Sequence, residues 1–83
     1  MLSKLGSLFV IDNLKTAKYI SELFLDINGR LNESIERVQG TSTPAEFASY
    51  RRRVGTLINS IFEEILEPIY IKHPEVKPPE LEI

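Results

Sequence analysis

The chain contains no cysteine and no tryptophan, and it has a single histidine among its 83 residues. The missing cysteines exclude a disulfide framework and a thiolate metal centre, and one histidine excludes the common histidine-based metal sites. A chain of this length is close to the lower limit at which one hydrophobic core offsets the entropy of folding. Oligomerisation is the remaining way to stabilise it, and we expect no cofactor.

The sequence also has no long hydrophobic run. The apolar start, residues 1–11, is interrupted by Gly6 and Ser7, ends at Asp12 and has no small-residue cleavage pattern. A membrane span needs about 20 apolar residues, and an interfacial helix is usually rich in basic ones. We therefore expect a cytoplasmic protein without a membrane partner, in which this segment docks on the helical bundle.

The sequence has no excess of positive charge, since it contains 10 basic and 12 acidic residues and has a net charge of -2. This balance argues against a general nucleic-acid binder. The charges are unevenly placed, however, because residues 63–83 contain six acidic and two basic side chains. The C-terminal part is therefore distinctly acidic.

What the sequence does contain is two long amphipathic segments. In the first, apolar residues recur every three or four positions and form one narrow stripe. Asp12 or Asn13 supplies the N-cap, and the stripe keeps its phase through the turn-prone pair Asn28-Gly29. This pattern predicts a helix over about residues 13–38, with its stripe at Ala17, Ile20, Phe24, Ile27, Leu31, Ile35 and Val38.

The second segment follows the pentad 39–43, which predicts a five-residue connection. Thr43 and Glu46 fit a capping box, with Pro44 at the first helical position. A helix over about residues 44–71 is predicted, with a kink or end near Pro68. Its apolar residues cover about half the circumference. We divide the chain into a helical domain, residues 1–73, and an extended, proline-rich, acidic tail, residues 74–83.

The short connection predicts an all-α, antiparallel hairpin of two helices. One narrow stripe cannot cover the broad face of the second helix, so we predict a homodimer that forms a four-helix bundle. In a twofold antiparallel pair, Arg53 would face Glu64 of the other copy, and Arg51 would face Glu67. The predicted interface consists of Arg51, Arg53, Val54, Gly55, Leu57, Ile58, Ile61, Phe62, Glu64, Ile65 and Leu66.

Three short patterns in the sequence have residue types that occur in chemical sites. Residues 51–53 are consecutive arginines, which spread over about 200° of a helix and cannot all face one groove. Residues 63–67 have the EExxE spacing of helical Mg²⁺ sites, but no second acidic pair follows on another helix. His73 has no nucleophile nearby in the sequence. We predict no catalytic, metal or cofactor-binding residue.

The sequence thus predicts a small non-enzymatic helical protein that self-associates and acts through a protein partner. Two alternatives remain open. An inhibitor or immunity-type protein would use the acidic face formed by Glu63, Glu64, Glu67, Glu75, Glu80 and Glu82. A metal-dependent nucleotide hydrolase would use the EExxE stretch across a dimer.

Overall fold

A computed structural model describes residues 11–81, and these are helical almost throughout, with no strand in that range. Helix α1 spans Leu14–Thr41 and helix α2 spans Pro44–Ile61. A π-helical turn, Phe62–Leu66, joins α2 to helix α3, Glu67–Lys72. Two 3-10 turns follow, Pro74–Val76 and Pro79–Leu81. The all-α prediction and the packing of two long helices against each other are confirmed.

Segment 1–10, predicted to dock on the bundle, and Glu82 of the predicted acidic face lie outside the described residues.

Helix α1 begins at a side-chain cap and continues further than the sequence predicts. The Asn13 Oδ1 accepts a hydrogen bond of 2.8 Å from the backbone N–H of Thr16. The helix passes Gly29 without interruption, as its apolar phase indicates, and ends at Thr41 rather than near residue 38. The Thr41 hydroxyl donates to the Arg37 carbonyl at 2.9 Å, four residues back in the same helix.

The predicted five-residue connection is therefore wrong, because only Ser42 and Thr43 separate the two helices. Gly40 does not have a positive φ, so it does not act as a left-handed glycine cap. The chain reverses within extended backbone at Ser42 and Thr43. A shorter connection holds α1 and α2 as antiparallel neighbours, as the hairpin prediction requires.

The start of α2 is the capping box that the sequence predicts. The Thr43 hydroxyl accepts from the Glu46 N–H at 3.2 Å, and the Thr43 N–H donates to the Glu46 carboxylate at 3.0 Å. Pro44 occupies the first turn, where its missing N–H has no intrahelical partner. All three residues are local in sequence, which is why the pattern alone sufficed to place this helix start.

The π turn resolves the conflict between Pro68 and a continuing helix. The Glu67 N–H bonds to the Phe62 carbonyl, five residues back, so the turn holds one more residue than an α-helical turn. The extra residue brings Leu66, instead of Ile65, under the core face: Leu66 is fully buried and Ile65 is half-buried. The helix then continues through Pro68 to Lys72, one residue beyond the predicted bound, and the π turn lies where a kink or end is predicted.

The core is small and lies along the seam between α1 and the second helical arm, which is α2, the π turn and α3 together (residues 44–72). Its buried apolar side chains are Ala17, Val54, Ile61, Leu66, Ile69 and Tyr70. Ala17, a small residue, is completely buried, which lets the backbones of the two arms approach closely at that level. Three further side chains that are less than a tenth exposed are polar, namely Ser21, Asn28 and His73.

Two of these polar groups are hydrogen bonded. The Ser21 and Tyr70 hydroxyls are 2.7 Å apart and link α1 to α3. The His73 Nε2 lies 2.7 Å from the Ile11 carbonyl oxygen, and it carries the proton in this bond because a carbonyl only accepts. Asn28 differs, since both polar atoms of its carboxamide are buried and have no hydrogen-bond partner among the described residues.

The C-terminal tail does not have the extended conformation that its prolines predict. Residues 74–76 and 79–81 form 3-10 turns, and Lys77 between them is extended. Val76 and Leu81 pack against the core, and the Lys72 ammonium lies 3.4 Å from the Asp12 carboxylate near the start of α1. Proline suits the first position of a helical turn, so two prolines followed by short turns favour this folded path.

Candidate protein-contact surfaces

The predicted interface residues divide into two groups in the single chain. Val54, Ile61 and Leu66 are buried, so a second copy does not reach them in this arrangement. The others remain accessible: Leu57 is 49% exposed, and Gly55, Ile58, Phe62 and Ile65 are half-buried. The interface itself stays a prediction, and its accessible apolar part is Leu57, Ile58, Phe62 and Ile65, which we call the α2 surface.

Charged residues lie near both ends of the α2 surface along the chain. Arg53 and Glu64 are exposed, and neither forms an ion pair within residues 11–81. The Arg53 Nε donates only to the Ser49 hydroxyl, at 3.2 Å. A guanidinium and a carboxylate of this kind are free to meet charges of a partner.

The predicted symmetry of these charges is altered by the π turn. In a continuous α-helix, positions 53 and 64 are three turns apart and lie within about 20° of each other. The π turn contains Glu64, so its direction differs from the one that regular helical spacing gives. Arg51 points elsewhere, since it lines a cleft between α1 and α2 together with Arg52. The pairing of Arg51 with Glu67 stays a prediction.

A second surface is a groove of about 760 Å³ at the end of the hairpin where α3 and the tail meet. Phe62, Ile71 and Leu81 supply apolar walls, and Ile71 is 75% exposed. Glu63 and Glu67 border the same groove and form no ion pair in the described part of the chain. The groove therefore combines apolar contact area with unpaired negative charge, and we call it the acidic groove.

The acidic groove contains two of the three glutamates of the EExxE stretch. Lys77 lines the same groove, and its ammonium group works against a bound cation. Among residues 11–81, no group of three or more histidine, aspartate or glutamate side chains is placed to hold a metal ion. The geometry thus adds nothing to the hydrolase alternative.

The neighbouring Pro74 suggests that His73 lies at a frayed helix end. The structure shows instead that His73 is held in place. It is 7% exposed, and its bond to the Ile11 carbonyl fastens the start of the described chain to the end of α3. The signal for this role is weak in the sequence, because the two residues are 62 positions apart. The structure gives His73 a role in packing.

Within the described range, no helix combines the length and apolar composition that crossing a membrane requires.

Comparison of the chain with protein-family models, with curated proteins and with solved structures gives no match. The function is therefore argued from the geometry of the surfaces alone.

Proposed function

We propose that this chain is a non-enzymatic helical protein of the cytoplasm that self-associates through the α2 surface and acts by binding another protein. The observation that carries the proposal is the incomplete cover of the second arm. Val54, Ile61 and Leu66 fill the seam with α1, while Leu57, almost half exposed, and its half-buried neighbours lie outside that seam. Burial of such a surface favours association, and the net affinity is what remains after the entropy cost of joining two chains.

We argue for a second copy because Arg53 lies near one end of this surface and Glu64 lies near the other. The π turn changes the direction of Glu64 but not this order of charges along the arm. In a twofold antiparallel pair, the arginine end of one α2 surface meets the glutamate end of the other. Arg53 and Glu64 have no competing ion pair within residues 11–81. The assembly would be a four-helix bundle of two hairpins, in which each chain contributes two arms.

Charge exchange tests this arrangement. Exposed ion pairs contribute about 0.2–1 kcal/mol each, so breaking two symmetry-related pairs with Arg53→Glu weakens the dimer by about 2- to 30-fold. Sedimentation velocity over a series of concentrations measures this change. Glu64→Arg alone has a similar effect, and the double variant restores association. Arg37→Glu, an exposed charge change on α1, is the matched control and leaves association unchanged.

Two results would contradict the arrangement. One is a wild-type chain that sediments as a folded monomer at all micromolar concentrations. The other is a double variant that dimerises no better than either single variant, which would show that these two charges do not face each other.

The acidic groove favours a second candidate function, namely binding of a basic protein as an inhibitor or immunity-type protein does. Glu63 and Glu67 stand unpaired beside the exposed Ile71, and this combination suits a partner with lysine or arginine next to an apolar side chain. Affinity capture with the full chain tests it. Binding of a basic partner should be lost in Glu63→Lys/Glu67→Lys and kept in Glu33→Lys; equal retention by both variants would reject the groove.

A further inference from the structure

A cleft between the two long helices has a chemistry that neither contact surface uses. It has a volume of about 600 Å³ and lies between the second half of α1 and the middle of α2. Its polar lining residues are Arg51, Arg52, Asn32 and Asn59, and its apolar lining residues are Ile35 and Ile58. We call it the arginine cleft.

The polar groups of the arginine cleft are hydrogen-bond donors of the kind that hold oxyanions. Two guanidinium groups and two carboxamides line it, and no carboxylate does among the side chains that the structure describes. Both arginines are exposed and form no ion pair or side-chain hydrogen bond within that range. Adjacent helical residues are about 100° apart, so two arginines border one cleft even though three do not.

The shape of the arginine cleft indicates more than a bare anion. Gly55 lies in its wall, and a Cβ built there would meet no atom within 4 Å, so open space lies over the glycine. Ile35 and Ile58 are half-buried and present apolar surface to that space. Apolar contact area beside a cluster of donors suits an organic body attached to an oxyanion.

We propose that the arginine cleft binds a phosphate monoester with a small apolar body. A phosphate dianion offers several strong acceptor oxygens, and guanidinium groups bind them through two parallel N–H donors. The carboxamides of Asn32 and Asn59 donate from the α1 side and the α2 side of the cleft. The side chains of Ile35 and Ile58 contact the apolar body. The proposal uses Arg51 and Arg52, which lie outside the α2 surface, and shares only Ile58 with that surface.

Phenyl phosphate is a suitable probe, with phenol and inorganic phosphate as its two halves. Isothermal titration of the full-length chain at constant ionic strength should show saturable binding of phenyl phosphate and at least tenfold weaker binding of either half. Arg51→Gln or Arg52→Gln should weaken binding about fivefold each, as expected for the loss of about 1 kcal/mol at an exposed site. Arg53→Gln is the matched control and should change affinity less than twofold.

Steric variants at position 55 test the site independently of charge. Gly55→Leu places a side chain in the open space and should abolish binding, whereas Gly55→Ala should keep it. Circular dichroism checks that each variant stays helical.

Several outcomes would overturn the proposal. These are a linear, non-saturating titration, equal binding of phenol, equal binding of inorganic phosphate, an equal loss in Arg53→Gln, and undiminished binding in Gly55→Leu. Sedimentation of the same samples measures self-association separately from ligand binding. A sample can bind phenyl phosphate without forming a dimer, and it can form a dimer without binding phenyl phosphate.

Discussion

Replacing Asn28 with leucine is expected to stabilise the fold, because it exchanges a buried polar side chain for an apolar one. Asn28 is 6% exposed, and neither its Oδ1 nor its Nδ2 has a hydrogen-bond partner within residues 11–81. Leaving a buried polar group unsatisfied costs about 1–3 kcal/mol. Leucine removes that cost, has the same number of side-chain heavy atoms, and has a helix propensity better by a few tenths of a kcal/mol. We predict a gain of about 1–3 kcal/mol in the free energy of unfolding.

Urea denaturation followed by circular dichroism measures this gain as an increase in the midpoint concentration at an unchanged slope. All variants must be compared at one protein concentration, because self-association shifts apparent stability by mass action. For a domain of this size each kcal/mol also raises the melting temperature by about 4–8 °C. Asn32→Leu is the matched control: it lies one turn further along α1, is exposed, and should change stability by less than about 0.5 kcal/mol.

A loss of stability in Asn28→Leu, with Asn32→Leu unchanged, would refute the reasoning. It would show that the Asn28 carboxamide has a hydrogen-bond partner in solution.

Three further variants test the core and the helix start. Tyr70→Phe removes the hydroxyl that bonds Ser21 across the two arms and should cost about 1–3 kcal/mol, and a double-mutant cycle with Ser21→Ala should show strong coupling; purely additive effects would argue against the bond. Leu66→Ala should lower the free energy of unfolding by about 2–5 kcal/mol because Leu66 is fully buried. Leu57→Ala should lower it far less in the monomeric state. Similar losses in both variants would contradict the placement of Leu66 in the core by the π turn. Thr43→Ala should cost about 1 kcal/mol through loss of the capping box, measured by thermal melting, and no change would mean that the cap contributes nothing to stability.

The features that the sequence predicted correctly depend on neighbours in the chain. The capping box needs only Thr43, Pro44 and Glu46, and the continuity of α1 through Gly29 follows from an unbroken apolar period. The sequence predicts the end of α1 three residues too early, because Gly40 and Thr41 are common in turns. In the structure the Thr41 hydroxyl donates to the Arg37 carbonyl of the same helix instead.

The features that the sequence did not predict depend on distant contacts or on a change of helical period. Pro68 predicts a kink or an end, and the structure has a π turn next to it. A regular 3.6-residue period cannot show which residue then faces the core. The bonds from Tyr70 to Ser21 and from His73 to Ile11 join residues 49 and 62 positions apart. No local pattern in the sequence links residues so far apart. The sequence therefore does not predict the folded path of the tail either.

The candidate surfaces were only partly predictable for the same reason. The excess of apolar residues on the second helix indicated a contact face, but three of its members, Val54, Ile61 and Leu66, are buried against α1 in the single chain. The arginine cleft requires Asn32 and Ile35 from the other arm, and only the pairing of the two helices brings them to Arg51 and Arg52.

The central claim is that one chain leaves the α2 surface incompletely covered and that a second copy completes it. Sedimentation equilibrium of the full-length chain, at micromolar concentrations and physiological salt, tests this most directly. The account predicts a concentration-dependent mass that approaches twice the 9.5 kDa of one chain. A constant mass of a single chain, in a sample that still unfolds cooperatively, would contradict it.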